Sequence, residues 1–180
     1  MKVIDPIELS KTKRVKFWKA IYRICDKLLP NNYWPFFGRI ANRIRVSIFR
    51  KISPSVSKRI SLNKGCEIYP CVTIEEGVLI GINCHLNWNL TIKKGTMIAK
   101  DVYFNTQNHN RNSETLRFDG LTEIKPIVVG EYCWIGTKTI VLGGVIIGDY
   151  STIGGGAVVT KSIPPKCMAA GNPAVVKKQY

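Results

Sequence analysis

Apolar residues recur every six positions along two long tracts of this sequence. The first tract is apolar at eight successive positions: Leu62, Ile68, Ile74, Ile80, Leu86, Ile92, Ile98 and Phe104. The second tract adds six more: Val129, Ile135, Val141, Ile147, Ile153 and Val159. The fifth position of most hexads is also small or apolar. An α-helix needs a period near 3.6, and ordinary amphipathic strands alternate at two without keeping a phase of six.

A fixed period of this kind predicts an all-β solenoid of hexapeptide repeats. Short strands joined by corners such as "IGIN" and "IGGG" would stack into a parallel β-helix, in which each coil bonds to the next. The end coils need caps, because their strand edges are otherwise open. We therefore expect a helical N-terminal extension (residues 1–60), a β-helix (61–165) and a C-terminal cap or tail (166–180).

The hexads lose their phase between Phe104 and Val129. These residues are twenty-five positions apart, one more than a multiple of six, so the segment cannot all lie in the coil. We expect a protruding loop over residues 105–128, and loops on rigid scaffolds commonly carry function. The string "FNTQNHNRN" in this loop contains His109, one of two histidines in the chain.

The charge of the chain is concentrated at its N-terminus. Of the formal net charge of +15, the first sixty residues supply +12, from fifteen Lys and Arg against three acidic residues. Apolar residues recur there at helical spacing: Val15, Trp18, Ile21, Tyr22, Cys25, Leu28 and Leu29. The string "GRIANRIRVSIFRKI" predicts a second helix of the same kind.

Two interpretations of these basic amphipathic helices remain open. They could contact an anionic membrane surface as peripheral elements, or they could cap the first coil or pack on a neighbouring subunit. Nucleic acid is not expected as a partner, because no recognition motif accompanies the charge.

The six cysteines show no CxxC or Cys/His metal spacing, so we expect reduced thiols and no metal. Zinc hydration chemistry needs three histidine ligands, and the chain has two histidines in total. The start "MKVIDPIELSKTKR" lacks a secretory signal, and no apolar run approaches the roughly 18 residues of a membrane span. These features predict a cytoplasmic protein.

From about residue 62 to the C-terminus the chain resembles a known family. The hexads, followed in order by "WIG", "IGGGAVVTKSIPP" and "AAGNPA", are similar to the hexapeptide-repeat O-acetyltransferases that include maltose, galactoside, nodulation-factor and capsule-modifying enzymes. The resemblance implies a left-handed β-helix with three hexads per coil, and a homotrimer with active sites between subunits. It also implies acetyl-CoA as donor and a hydroxyl acceptor, which we expect to belong to a polysaccharide, a lipid-linked sugar or a nucleotide sugar.

The resemblance implies three catalytic residues. His109 matches the histidine base of the family's loop; an imidazole can take the proton of a hydroxyl as it attacks the thioester. Glu123 matches an acidic residue that would bond one ring nitrogen and fix its tautomer. Asn87, in "HLNWN", would orient the acceptor or stabilise the oxyanion, with Asn89 as a nearby competitor. The alternatives are a solvated loop histidine, a surface glutamate and a structural corner asparagine.

The donor residues implied by the resemblance lie in the C-terminal hexads. Gly155 and Thr160 match positions that contact the pantetheine arm or adenine, and Thr137 lies near the thiol end. Lys161 and Lys178 match cations near the phosphates. Trp134 matches an aromatic residue that contacts either substrate or a neighbouring subunit.

Other functions remain possible on the same scaffold. The second candidate activity is that of a serine or amino-sugar N-acyltransferase, which differs in its acceptor. A non-catalytic β-helix serving as an assembly or membrane adaptor is a different class. A scaffold needs none of His109, Glu123, Thr160 and Lys161, so their presence together favours an enzyme.

Overall fold

The computed structural model describes residues 5–180, without the side chains of residues 119–122. Within this range three helices come first: α1 (Pro6–Lys11), α2 (Lys13–Leu28) and α3 (Pro35–Ile52). The strands that follow are β1 (Ser61–Leu62), β2 (Glu67–Ile68), β3 (Thr73–Ile74), β4 (Leu79–Ile80), β5 (His85–Leu86), β6 (Leu90–Ile92), β7 (Met97–Ile98), β8 (Tyr103–Asn105), β9 (Gln107–Arg111), β10 (Phe118–Ile124), β11 (Ile127–Val129), β12 (Trp134–Ile135), β13 (Ile140–Leu142), β14 (Ile146–Ile147), β15 (Thr152–Ile153), β16 (Val158–Val159), β17 (Cys167–Ala170) and β18 (Val175–Gln179).

Three parallel sheets form the faces of a triangular β-helix. Face 1 contains β1, β4, β7, β12, β15 and β17, with β18 antiparallel at its end; face 2 contains β2, β5, β8, β13 and β16; face 3 contains β3, β6, β11 and β14. Ser61 pairs with Leu79, and Leu79 pairs with Met97, so one coil takes 18 residues. Three hexads therefore make one coil, as predicted.

The hexad positions form the core. Every first-position residue and every fifth-position residue of the two tracts is buried. Polar members of this set are bonded to the backbone of the corners: Thr96 Oγ1 donates to the Gly130 carbonyl at 2.7 Å and accepts from the Cys133 amide at 2.9 Å. Burial of a Leu or Ile side chain contributes about 1.5–3 kcal/mol, so the ladder of apolar residues is the main source of stability.

An inserted β-hairpin interrupts the coils. Met97 pairs with Trp134, a separation of 37 residues instead of 18, so this coil contains 19 additional residues. Strands β9 and β10 pair antiparallel and leave the solenoid between β8 of face 2 and β11 of face 3. The protruding loop predicted over residues 105–128 is thus a hairpin at the corner between faces 2 and 3. It is shorter than predicted, because Asn105 belongs to β8 and Ile127 and Val128 belong to β11.

Helix α3 covers the first coil, and the predicted helical extension is present. Phe49 and Ile52 are buried in the common core. Asn42 supplies the hydrogen bonds that a preceding coil would make, since its Oδ1 accepts from the Leu62 amide at 2.8 Å and its Nδ2 donates to the Ile60 carbonyl at 2.9 Å. The helix thereby protects the open strand edge.

A buried ion pair holds α2 against α3. Arg45 is fully buried, and its Nε donates to Oδ1 of Asp26 at 2.6 Å. The other guanidinium nitrogens donate to Oδ1 of Asn32 and to the carbonyls of Leu29 and Pro30. None of the helices within residues 5–180 has an apolar stretch that could cross a bilayer.

Candidate functional site

The corner between faces 2 and 3 brings two of the predicted polar residues, Asn87 and Thr160, into one column of stacked coil positions. Asn105 pairs with Leu142, while Asn87 and Thr160 follow the equivalent strands β5 and β16. Because neighbouring strands lie roughly 4.8 Å apart, the three coil steps from Asn87 to Thr160 span about 14 Å. The hairpin leaves the β-helix from the middle of this column.

A cavity of about 280 Å³ lies at the base of the hairpin. Gln107, Asn108 and Lys125 of the hairpin line one side, and Thr160 lines another. Thr106, also in the lining, is fully buried, and its hydroxyl has no hydrogen-bond partner among the residues described. The cavity therefore contains a desolvated hydroxyl and a cation close to the protruding strand.

Thr106 and Lys125 were not predicted from the sequence. Thr106 occupies the third position of its hexad, and the equivalent residues Lys64, Lys94 and Lys100 are not buried. Its burial results from the hairpin, whose Lys125 amide donates to the Thr106 carbonyl at 2.8 Å. A long-range contact of this kind leaves no signal in the hexad pattern.

His109 lies one residue beyond the cavity lining, on β9, with an exposed side chain. Its ring centroid is 6.4 Å from that of Phe118 on β10, in an edge-on arrangement. Arg111, on the same strand, has its guanidinium carbon 5.3 Å from the centroid of the Phe118 ring. The hairpin therefore holds the imidazole above the corner and open to an incoming molecule.

The predicted contact between Glu123 and His109 is not formed. Glu123 pairs with Asn108, whereas Thr122 pairs with His109. Side chains alternate across a strand, so the carboxylate and the imidazole point to opposite faces of the hairpin. The Glu123 carboxylate instead lies 3.2 Å from Nζ of Lys125. The sequence spacing alone could not predict this register, because the turn of the hairpin determines it.

Asn87 is buried, and Asn89 is not. Oδ1 of Asn87 accepts a hydrogen bond from the Trp88 amide at 3.0 Å, which fixes the side-chain amide and leaves its NH₂ group to donate. Asn89 has a positive φ of 51° and its carbonyl accepts from the Ile127 amide at 3.2 Å, which is a corner role. Of the two asparagines, Asn87 is the one whose side-chain amide is oriented by a hydrogen bond to the backbone.

Two of the residues predicted to contact acetyl-CoA, Thr137 and Gly155, lie at a different corner, between faces 1 and 2. The amide of Gly156 donates to the Thr137 carbonyl at 2.7 Å, so Thr137 and Gly155 are stacked on adjacent coils. Thr160 lies at the far end of the face 2 strand, five residues away, or about 17 Å at roughly 3.3 Å per residue. A Cβ on Gly155 would lie 3.2 Å from the carbonyl oxygen of Thr137, so the two coils approach each other closely here.

The remaining predicted donor residues are spread over the surface. Trp134 points outward from face 1 with 53% of its surface exposed, beside Met97 and Thr152. Lys178 on β18 pairs with Met168, and its Nζ lies 5.4 Å from the ring of Tyr180. Lys161 is exposed immediately after Thr160. A single chain therefore brings Thr160 and Lys161 to the hairpin corner, but not Thr137, Gly155, Trp134 or Lys178.

Comparisons with known proteins agree on one kind of molecule. The family model described as bacterial transferase hexapeptide (six repeats) matches residues 126–161. The galactoside O-acetyltransferase of Escherichia coli (strain K12) is 32% identical over 192 residues, covering 96% of this chain and 91% of that protein.

Two solved structures resemble the whole chain. The maltose O-acetyltransferase of Clostridium difficile 630 has a TM-score of 0.68 and 26% identity, covering 94% of this chain and 90% of its own. A galactoside acetyltransferase in complex with coenzyme A has a TM-score of 0.62 and 22% identity, covering 98% and 91%. The common fold is the left-handed parallel β-helix predicted from the sequence.

Proposed function

Because the chain belongs to the family of hexapeptide-repeat acetyltransferases, we propose that it transfers the acetyl group of acetyl-CoA to a hydroxyl of a sugar acceptor. The acceptor is a polysaccharide, a lipid-linked sugar or a nucleotide sugar. The observation that carries this proposal is the cavity at the hairpin base, where the strand bearing His109 meets Thr160 of the C-terminal hexads. The names of the relatives, which act on galactoside and maltose, support a sugar as the acceptor.

His109 acts as the general base. Its exposed imidazole takes the proton of the acceptor hydroxyl while the oxygen attacks the thioester carbonyl. The tetrahedral intermediate then collapses, the carbon–sulfur bond breaks, and the sulfur leaves as the coenzyme A thiol after it regains a proton. The NH₂ group of Asn87 donates a hydrogen bond to the oxyanion, a role that requires the fixed amide described above.

The active site is completed by a second copy of the chain in a homotrimer. Thr137 and Gly155 lie about 17 Å from Thr160 across face 2, which is too far for one chain to surround a thioester. When the corner between faces 1 and 2 of one subunit lies against the hairpin corner of the next, Thr137 and Gly155 of the first subunit come close to Thr160 of the second. Repeating this contact around a three-fold axis closes the ring.

The test is acetyl-CoA consumption, measured as free thiol release, with sugars, nucleotide sugars, oligosaccharides, serine and amino sugars as acceptors. We expect release with hydroxyl acceptors, and a loss of about 10²–10⁴-fold in kcat for His109→Ala. Arg111→Ala, on the same strand, is the matched control for damage to the hairpin. Acetylation confined to amines would identify an N-acyltransferase, and absence of acetyl-CoA binding would identify a non-catalytic scaffold; either result contradicts the proposal.

The N-terminal helices also contact an anionic membrane surface. Seven large apolar side chains, here called the apolar band, are exposed around the turn between α2 and α3: Leu28, Tyr33, Trp34, Phe36, Phe37, Ile40 and Ile44. The four on α3 lie within one arc of the helix, opposite its buried side, and Arg39 and Arg43 flank them. Aromatic side chains beside cations suit a lipid headgroup region of negative charge.

A further inference from the structure

A second cavity, here called the basal pocket, lies between α2 and the first coil of face 2. Its volume is about 420 Å³, within the range of small-molecule sites. Four cationic side chains line it: Lys19, Arg23, Lys27 and Lys64. The first three are spaced by four along α2 and therefore share one side of the helix. Tyr22, Cys66 and Ile68 supply an apolar wall.

The carboxylates of the basal pocket are already bound to other groups. Asp26 is paired with buried Arg45, and its second oxygen accepts from the Gly65 amide at 2.8 Å. Glu67 lies 3.3 Å from Nδ1 of His85 and accepts from the Tyr69 hydroxyl at 3.4 Å. The pocket therefore has an excess of positive charge.

Part of that positive charge is held away from water. Lys19 is half-buried, with its Nζ 3.8 Å from the centroid of the Tyr69 ring. Burial, and then the nearby charge of Arg23, lowers the pKa of Lys19. An anion in the pocket would relieve both effects, and the guanidinium of Arg23 can bind two oxygens of a phosphate at once.

A surface with two aromatic rings connects the basal pocket with the hairpin corner between faces 2 and 3. Glu67, His85 and Tyr103 are successive partners on the outside of face 2, and the rings of His85 and Tyr103 are 4.7 Å apart. Asn105, where the hairpin begins, lies two coil steps from the pocket, or about 10 Å at roughly 4.8 Å per step. One acceptor of a few linked rings can therefore reach both places.

We propose that the basal pocket binds the phosphate group of a phosphorylated sugar acceptor. This role rests on the acetyltransferase function proposed above, and it specifies the acceptor as a sugar that carries a phosphate or diphosphate. The volume exceeds that of a single ion and leaves room for part of the sugar next to the phosphate.

The first test is direct binding to the full chain without acetyl-CoA, by calorimetry at fixed ionic strength, with glucose, glucose 1-phosphate, UDP-glucose and inorganic phosphate as probes. We expect the phosphorylated sugars to bind at least about 10-fold more tightly than glucose and than inorganic phosphate. Equal binding of glucose and glucose 1-phosphate would overturn the proposal. Inorganic phosphate binding as tightly as the sugar phosphates would show a free-phosphate site, and would also overturn it.

The second test uses the double variant Lys19→Gln/Arg23→Gln. We expect it to weaken binding of the phosphorylated sugars by about 10-fold or more. The control Lys58→Gln/Lys100→Gln removes the same charge from exposed positions outside the pocket and should change binding less than about 2-fold. Equal losses in the two variants would show general charge attraction and contradict a pocket.

Acetyl-CoA affinity is measured on the same samples. If acetyl-CoA binds and transfer occurs while Lys19→Gln/Arg23→Gln leaves phosphorylated-sugar binding unchanged, the pocket proposal fails alone. If acetyl-CoA does not bind, the transferase proposal fails instead. The two failures are thus distinguishable.

Discussion

The carboxylate of Glu123 lies 3.2 Å from Nζ of Lys125 and on the face of the hairpin opposite His109. Lys125 also lines the cavity at the hairpin base. The ion pair therefore positions a cation at the cavity, and the imidazole is left without this carboxylate as an orienting group.

We predict that Glu123→Gln changes kcat by less than about 3-fold, because an exposed ion pair contributes little. The measurement is thiol release at saturating acetyl-CoA, with His109→Ala beside it as the reference for a lost base. A decrease beyond 10-fold for Glu123→Gln would mean that the carboxylate reaches the imidazole during the reaction, against the register seen here.

Asn87→Asp tests the oxyanion donor. Aspartate keeps the oxygen that accepts from the Trp88 amide but removes the NH₂ group. We expect kcat to decrease by about 10²–10³-fold, as is typical for loss of one oxyanion donor. Asn89→Asp is the control at the neighbouring corner. An Asn87→Asp enzyme of normal kcat would assign Asn87 a purely structural role.

Asp26→Asn should lower the free energy of unfolding by about 3–5 kcal/mol, because it leaves the fully buried charge of Arg45 without its partner. Urea denaturation at neutral pH measures this loss. The double variant Asp26→Asn/Arg45→Met removes both charges and should recover part of it. The control is Glu8→Gln, which breaks an exposed ion pair with Lys11 and should leave the midpoint of urea denaturation unchanged.

Tyr22 makes the fold sensitive to alkaline pH. Burial raises the pKa of Tyr22 well above its ordinary value of 10.0, and its hydroxyl has no hydrogen-bond partner among the residues described. The unfolded phenol loses its proton first, so stability decreases as the pH rises above about 10.

Tyr22→Phe should therefore retain more of its neutral-pH stability at pH 10.5 than the wild type, and should gain about 1 kcal/mol at pH 7 by removing an unsatisfied hydroxyl. Urea unfolding at both pH values checks this, with exposed Tyr33→Phe as the control. Parallel decreases in wild type and Tyr22→Phe would show that another group causes the alkaline loss.

The apolar band predicts binding to anionic vesicles. We expect co-sedimentation with phosphatidylcholine vesicles containing phosphatidylserine, and at least about 10-fold weaker binding by Trp34→Ser/Phe37→Ser. Leu116→Ser, at an exposed apolar position of the hairpin, should bind normally. A different outcome would be that the wild type does not bind vesicles and that Trp34→Ser/Phe37→Ser has a different molecular mass in solution from the wild type. The apolar band would then be an interface between copies of the chain.

Three hexads per coil were implied only by the resemblance to a known family. The sequence by itself determined the solenoid and the position of the inserted segment. Each of these follows from a local period: a residue at the first hexad position points inward whichever coil it belongs to, and a break of one residue in phase forces the chain out of the stack. The basic helices could be predicted for the same reason, since helical spacing is local too.

Only the tertiary structure decided which residues meet. The direction of Glu123 depends on the register of a hairpin whose turn contains no strong sequence signal, and one residue of shift would turn it toward His109. Likewise, Asp26 and Arg45 pair across nineteen positions, and Thr106 is buried only because the hairpin folds back over it. These contacts depend on the summed packing of distant segments, which periodicity in the sequence does not encode.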